Sequence, residues 1–210
     1  MTAGRTRVVL ATRNAKKLAE LRRILGADVQ VLGLADVPPF AELPETGATF
    51  EENAADKARQ AARETGEIAL ADDSGLAVDA LNGMPGVLSA RWSGRHGDDP
   101  ANTALLLGQL ADVPDERRGA AFICALALAG PDGAVRVLRG EWRGRIGRVA
   151  LGTNGFGYDP VFIPAESDAA GDGRTSAELS PAEKDALSHR GRALRPVSYT
   201  HLTLPTKLEV

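Results

Sequence analysis

The residues best placed to do chemistry are Asp72-Asp73-Ser74-Gly75, which follow directly on the apolar run Ile68-Ala69-Leu70-Ala71. A short unbroken apolar run reads as a strand buried on both faces, so this one delivers two adjacent carboxylates to a strand end. In open α/β sheets ligands gather at the carboxyl ends of strands, and neighbouring carboxylates need a cation, a proton or distance to relieve their repulsion. A divalent metal supplies the first of these. Mg2+ binds oxygen and usually keeps waters and substrate phosphate oxygens in its shell, so one or two carboxylates suffice. Asp, Ser and Gly are also turn formers, and taken alone the four residues fit a plain turn equally well.

Three further stretches carry candidate ligand groups. Between a first strand over Arg7 to Thr12 and a helix marked by Leu18, Leu21, Ile24 and Leu25, and ended by Gly26, lies Thr12-Arg13-Asn14-Ala15-Lys16-Lys17. A strand, a short polar turn and a helix N-terminus present free N–H groups to an anion, and Lys17 adds a charge within reach of phosphate. The same residues also read as an Asn14-capped helix with solvated lysines. Asp36 to Ala48 is a proline-rich loop bearing Glu42 and Glu45, either of which could give a metal its second oxygen or simply sit in water. Gly152 to Pro160 places glycines on both sides of Phe156, so backbone can approach a flat ligand while the ring stacks on a base and Asp159 accepts its N–H donors. A Gly-rich turn with a core phenylalanine is the alternative.

These stretches need elements to hold them. Val29 to Leu34 reads as a second strand, and Thr49 to Glu52 is a capping box opening a helix with an alanine face (Ala54, Ala55, Ala58, Ala61, Ala62) and Lys57, itself an ordinary surface lysine by position. Leu76 to Leu81 leads into a Gly/Pro loop, and Asp99-Pro100 forms a cap and first turn for a helix through Leu110. Ala120 to Ala129 and Val135 to Trp142 flank Gly130-Pro131-Asp132-Gly133, a hairpin signal. Val161 to Ile163 is strand-like, Glu166 to Thr175 reads as a polar mobile segment, and Ser180-Pro181-Ala182-Glu183 starts a helix carrying Lys184 and Ser188-His189-Arg190.

Composition narrows the function class. At 210 residues, with a formal net charge of −3, the chain has enough sequence for a core of its own and no general affinity for nucleic acid or membrane surfaces. The single cysteine, Cys124, lies in an apolar run and reads as core packing. No apolar segment approaches membrane-spanning or signal-peptide length, which points to a cytoplasmic protein.

Read in order, ATRNAKK, ETGATFEENAADKA, ADDSGLAVDAL with GMPGVLSARWSG, GFGYDPVF and SPAEKDALSHRGRAL make the chain similar, from about Val8 to Leu194, to the inosine/xanthosine triphosphate pyrophosphatases. That resemblance implies an α/β fold, a mixed twisted sheet flanked by helices with an active cleft between two lobes, and a homodimer. It implies hydrolysis of dITP, ITP and XTP to the monophosphate and pyrophosphate. Carried over by position, Thr12, Asn14 and Lys17 would hold the triphosphate, with Arg13, Ala15 and Lys16 beside them and Lys57 assisting. Glu45 and Asp73 would bind Mg2+, Asp73 would also be the general base, and Ser74 would contact the nucleotide. Phe156, with Gly157 and Tyr158, would stack on the base, while Asp159, Lys184, His189 and Arg190 would complete its pocket. Discrimination against adenine would come from donors on Arg190 or nearby backbone facing the 6-keto oxygen, a polar match able to discriminate by roughly 10⁴. A sensor without turnover would not need Asp72-Asp73 beside Glu45, and a hydrolase of other modified nucleotides would keep the metal and alter the base pocket. Arg13 departs from the glycine common at its position. Residues 1–195 read as one two-lobed domain, and Pro196 to Val210, with two prolines and no helical period, as an atypical and non-native tail.

Overall fold

A computed structural model describes residues 6–25 and 29–199. Gly26, where the first helix was expected to stop, and the tail beyond residue 199 lie outside the described residues. Six strands form one mixed sheet in the order β2-β1-β3-β4-β5-β6. They are β1 (Thr6–Leu10), β2 (Val29–Gly33), β3 (Ile68–Val78), β4 (Gly119–Ala129), β5 (Val135–Ile146) and β6 (Phe162–Pro164). β1 runs parallel to both β2 and β3, whereas β5 and β6 are antiparallel. The helices are α1 (Ala15–Leu25), α2 (Phe50–Thr65), α3 (Asp99–Gln109), α4 (Ala165–Ala170), α5 (Pro181–Leu187) and α6 (His189–Tyr199). The fold class is the mixed α/β sheet with helices expected from the sequence.

By contacts the chain divides into two compact units, the first comprising residues 1–73, 125–140 and 190–210, the second residues 74–124 and 141–189. In the first, β1 is completely buried at Val9 and Leu10, and the alanine face of α2 is buried at Ala54, Ala58 and Ala61. The Thr49 hydroxyl accepts from the Glu52 N–H while Glu52 Oε2 accepts from the Thr49 N–H, so the capping box forms as read. In the second unit an aromatic cluster dominates. Phe122 lies 4.6 Å from Phe162 and 6.4 Å from Trp142, with Leu76, Leu106 and Ile146 in the same core. Trp142 is wholly buried, and its indole N–H donates to Glu166 at 3.0 Å.

Several elements depart from the sequence reading. β3 does not end at Ala71 but runs on through Asp72-Asp73-Ser74-Gly75 to Val78. The turn propensity of those residues gives way because the carboxylates find cations beside the strand. Glu166 to Thr175 is not a loose segment: α4 occupies its first half, Arg145 pairs with Asp168 at 2.7 Å, and Thr175 is fully buried. The helix expected to carry both Lys184 and Arg190 is broken at Ser188, whose ψ of 157° is extended, giving α5 and α6. α3 is capped by Asp98, which accepts from the Ala101 N–H, and Asp99 falls inside the helix. α6 continues past Leu194 to Tyr199, so Pro196 does not end the helix.

Truncating Trp142 to Ala removes the largest buried side chain of the second unit and the indole N–H that donates to Glu166. We expect a loss of about 3–5 kcal/mol in urea denaturation. A loss below about 1 kcal/mol would show that this cluster does not carry the core.

Candidate active site

The strand geometry of β3 separates the two aspartates. Successive side chains leave a strand on opposite faces, so Asp72 and Asp73 meet different neighbours although they adjoin in sequence. Asp72 is entirely inside: its Oδ2 receives Lys17 Nζ at 2.9 Å from α1 and Arg190 Nη2 at 3.1 Å from α6. Arg190 Nη1 is taken in turn by the buried carboxylate of Glu20, one turn along α1 from Lys17. A chain of alternating charge, Glu20, Arg190, Asp72 and Lys17, results. Burial alone would raise the Asp72 pKa, but Lys17, Arg190 and Lys57 together hold it far below the usual carboxylate range.

Asp73 faces α2. The Asn53 side-chain amide donates to its Oδ2 at 2.9 Å, and Lys57 Nζ stands 3.6 Å from its Oδ1. The same ammonium donates to Glu45 Oε1 and to the Asp72 carbonyl, both at 2.8 Å. Asn53 Oδ1 accepts from the Gly47 N–H at 2.8 Å, which ties the loop bearing Glu45 to the strand bearing Asp73. A Cβ on Gly47 would lie 2.7 Å from that oxygen, so the close approach requires glycine. Burial raises the Asp73 pKa, Lys57 and the Asn53 hydrogen bond oppose the rise, and Glu45 adds to it; the net shift is upward. Burial would lower the Lys57 pKa, but Asp73, Asp72 and Glu45 outweigh it, so the amine stays charged. Two neighbouring carboxylates are thus pushed apart in acidity, the signature of divided roles.

The remaining residues of the first unit are placed as follows. Asn14 Oδ1 accepts from the N–H groups of Lys16 and Lys17, so Asn14 caps α1, and Thr12 Oγ1 accepts from the Asn14 N–H. Arg13 is exposed and pairs with Glu42, leaving Glu45 as the loop acid that meets Lys57. Ala15 and Lys16 are exposed. Arg190 is buried with Nε, Nη1 and Nη2 each directed at a carboxylate, Asp72 or Glu20. Sequence reasoning missed Glu20 and Asn53. Their signal was helical spacing alone: Glu20 lies three residues after Lys17, and Asn53 four before Lys57.

In the second unit Asp159 organises the glycine loop. Its Oδ2 accepts from the Phe156 N–H at 2.8 Å and from Lys184 Nζ at 2.5 Å, and its Oδ1 accepts from the Ser176 hydroxyl at 2.8 Å. Lys184 Nζ also lies 5.1 Å above the half-buried Phe156 ring. Gly155, at φ +76°, is obligatory because a Cβ there would fall 2.0 Å from Asp159. Tyr158 is buried, with its hydroxyl donating to the Ser89 carbonyl at 2.9 Å; burial and the charge of Asp99 raise its pKa. Gly157 accompanies the loop, and Ser74 is half-buried on β3. His189 is buried and stacks on Phe122 at 5.0 Å.

The mixed α/β sheet thus carries a buried charge chain in the first unit and, in the second, a glycine loop held by Asp159 and Lys184. Residues 8–199 match the Ham1 family, and the chain belongs to it. It is 67% identical over 193 residues, covering 90% of this chain and 91% of the relative, to the dITP/XTP pyrophosphatase of Nocardia farcinica. The crystal structure titled nucleoside-triphosphatase / dITP/XTP pyrophosphatase from Mycobacterium abscessus matches with a TM-score of 0.75 at 60% identity, over 93% of this chain and 100% of that one. A HAM1 protein from Coxiella burnetii matches at 0.79 and 42% identity, over 92% and 96% of the two chains.

Because the Asp72 pKa is depressed in the folded state, its stabilising effect is complete above the unfolded-state value of about 4 and is lost as pH falls further. Asp72→Asn leaves Arg190 and Lys17 facing a neutral amide in a buried site, and should cost about 3–5 kcal/mol at pH 7. Urea titrations should show the gap between wild type and variant narrowing below about pH 4. A pH-independent gap would contradict the charge chain.

Proposed function

We propose that this chain hydrolyses non-standard purine nucleoside triphosphates, dITP, ITP and XTP, to the monophosphate and pyrophosphate. The observation that carries the reading is the opposed environments of Asp72 and Asp73. Asp72 is a fixed anion that holds Lys17 and Arg190 in place. Asp73, with its raised pKa, is the more basic of the two and suits a general base for water. Phosphoryl transfer needs charge neutralisation and an oriented nucleophile more than covalent help, and the lysines with one carboxylate base supply that. Relatives named dITP/XTP pyrophosphatase, and the motif order, support the substrate class.

Asp73 and Glu45 fit a hard divalent cation. Both are oxygen donors turned to one point, where Lys57 now sits. Mg2+ held by this pair would neutralise phosphate charge and leave Lys57 to the triphosphate. Thr12, Asn14 and Lys17 serve the phosphates, with the exposed Arg13 and Lys16 at their edge. Phe156 stacks on the base beside Lys184 and Asp159. Ser74, His189 and Arg190 belong to the nucleotide site in this reading. Among the described residues no helix is long and apolar enough to cross a membrane, and the reaction is assigned to the cytoplasm, the enzyme acting as a homodimer.

Pyrophosphate release from dITP, XTP, dATP and dGTP, with and without Mg2+, tests the proposal. Wild type should release pyrophosphate from dITP and XTP only when Mg2+ is present, and Asp73→Asn should lose about 10²–10⁴-fold in kcat. Release of orthophosphate, or equal turnover of all four substrates, would overturn it.

A further inference from the structure

Two adjacent aspartates at the start of α3 divide their work, and only one has a role in the helix. Asp98 is the N-cap, with its Oδ1 on the Ala101 N–H at 3.2 Å. Asp99 is therefore free of capping, and its Oδ2 instead accepts from the N–H of Gly157 at 2.8 Å, across 58 residues of sequence. Thr103, one turn further along the same helix face, directs its hydroxyl to the Gly157 carbonyl at 3.5 Å. One face of α3 thus holds the peptide groups on both sides of Gly157, the residue immediately after Phe156. Gly157 has φ +62°, a conformation that a glycine visits freely, so an outside tether is needed to keep the loop in one shape. Asp159 secures the other side of Phe156 through its N–H.

We propose that Asp99, assisted by Thr103, is a positioning residue for base recognition: it fixes the Gly157 peptide and thereby the pose of the Phe156 ring. The inference rests on the reading of Phe156 as the base-stacking residue. A charged acceptor on a backbone N–H is a strong hydrogen bond, and preorganising a stacking ring lowers the ordering cost of binding. The effect falls on the base end of the substrate. Inorganic triphosphate, which has no base, does not use it.

The test compares wild type with Asp99→Ala, Asp99→Asn and Thr103→Val. Asp99→Ala should raise the KM for dITP about tenfold, the equivalent of one hydrogen bond to a charged group, with kcat changed by less than about twofold. Inhibition by inorganic triphosphate should be unchanged, and Asp99→Asn, which keeps an acceptor oxygen, should restore most of the affinity. Thr103→Val should show a smaller rise of the same kind. Independently of turnover, amide exchange at residues 155–158 should quicken in Asp99→Ala. An unchanged KM, or unchanged amide exchange, overturns the proposal. Equal weakening of dITP and inorganic triphosphate also overturns it, because it would mark a general structural role. If wild type does not turn over dITP at all, the proposed function fails first; faster exchange in the variant would then leave a loop tether and remove its part in base recognition.

Discussion

The interaction on which the first unit depends is the burial of the Asp72 carboxylate. A carboxylate with no solvent contact survives as an anion only if cations are brought to it, since stripping its water costs several kcal/mol. No residue near it in sequence supplies them. Lys17 comes from α1 and Arg190 from α6, 118 residues away, so satisfying one side chain on β3 requires both helices to dock against it. Arg190 is then itself a buried charge with donors to spare, and Glu20 completes it. The N-terminal, central and C-terminal parts of the unit are joined by electrostatic necessity as much as by the apolar contacts of Val9, Leu10 and Ala58.

That demand also explains why two identical residues, side by side, differ. Strand alternation puts the Asp72 carboxylate in direct contact with Lys17 and Arg190, and the Asp73 carboxylate with Lys57, the Asn53 amide and, through Lys57, Glu45. Asp98 and Asp99 repeat the pattern at a helix start: one caps, the other reaches a distant loop. In both pairs the backbone's own periodicity does the sorting, and the chemistry follows from what each face meets.

Legibility in the sequence follows the range of the interaction. The capping boxes at Thr49 and Ser180 were readable because each closes within four residues, and so was the hairpin at Gly130. The apolar part of β3 was readable, but its continuation through Asp72 to Gly75 was not. Local propensity favours a turn there, and only cations remote in sequence make a strand tolerable. Ser188 looked like the middle of a helix and is a break, which leaves Arg190 in the first turn of α6 beside Asp72 in the first unit. The acids and lysines of the site were visible as types and motifs. Their pairing, Glu42 with Arg13 and Glu45 with Lys57, was not, because both acids sit in one loop with no periodicity to distinguish them.

Arg118 shows that a buried cation does not have to be met by a carboxylate. It is almost wholly inside the second unit, and its guanidinium donates to the carbonyls of Leu110, Ile146 and Gly147 at 2.5–2.9 Å. Such a set of backbone dipoles, at the end of α3, the end of β5 and the residue after it, holds a framework. Lys17 and Lys57 are held differently, by carboxylates, and each keeps part of its side chain at the surface. An ammonium paired with a partly exposed carboxylate, as Lys57 is with Glu45, can exchange it for another anion at little net electrostatic cost, whereas the buried Asp72 keeps its hold on Lys17. The contrast separates a cation enclosed by backbone carbonyls from cations held by carboxylates with part of each side chain at the surface.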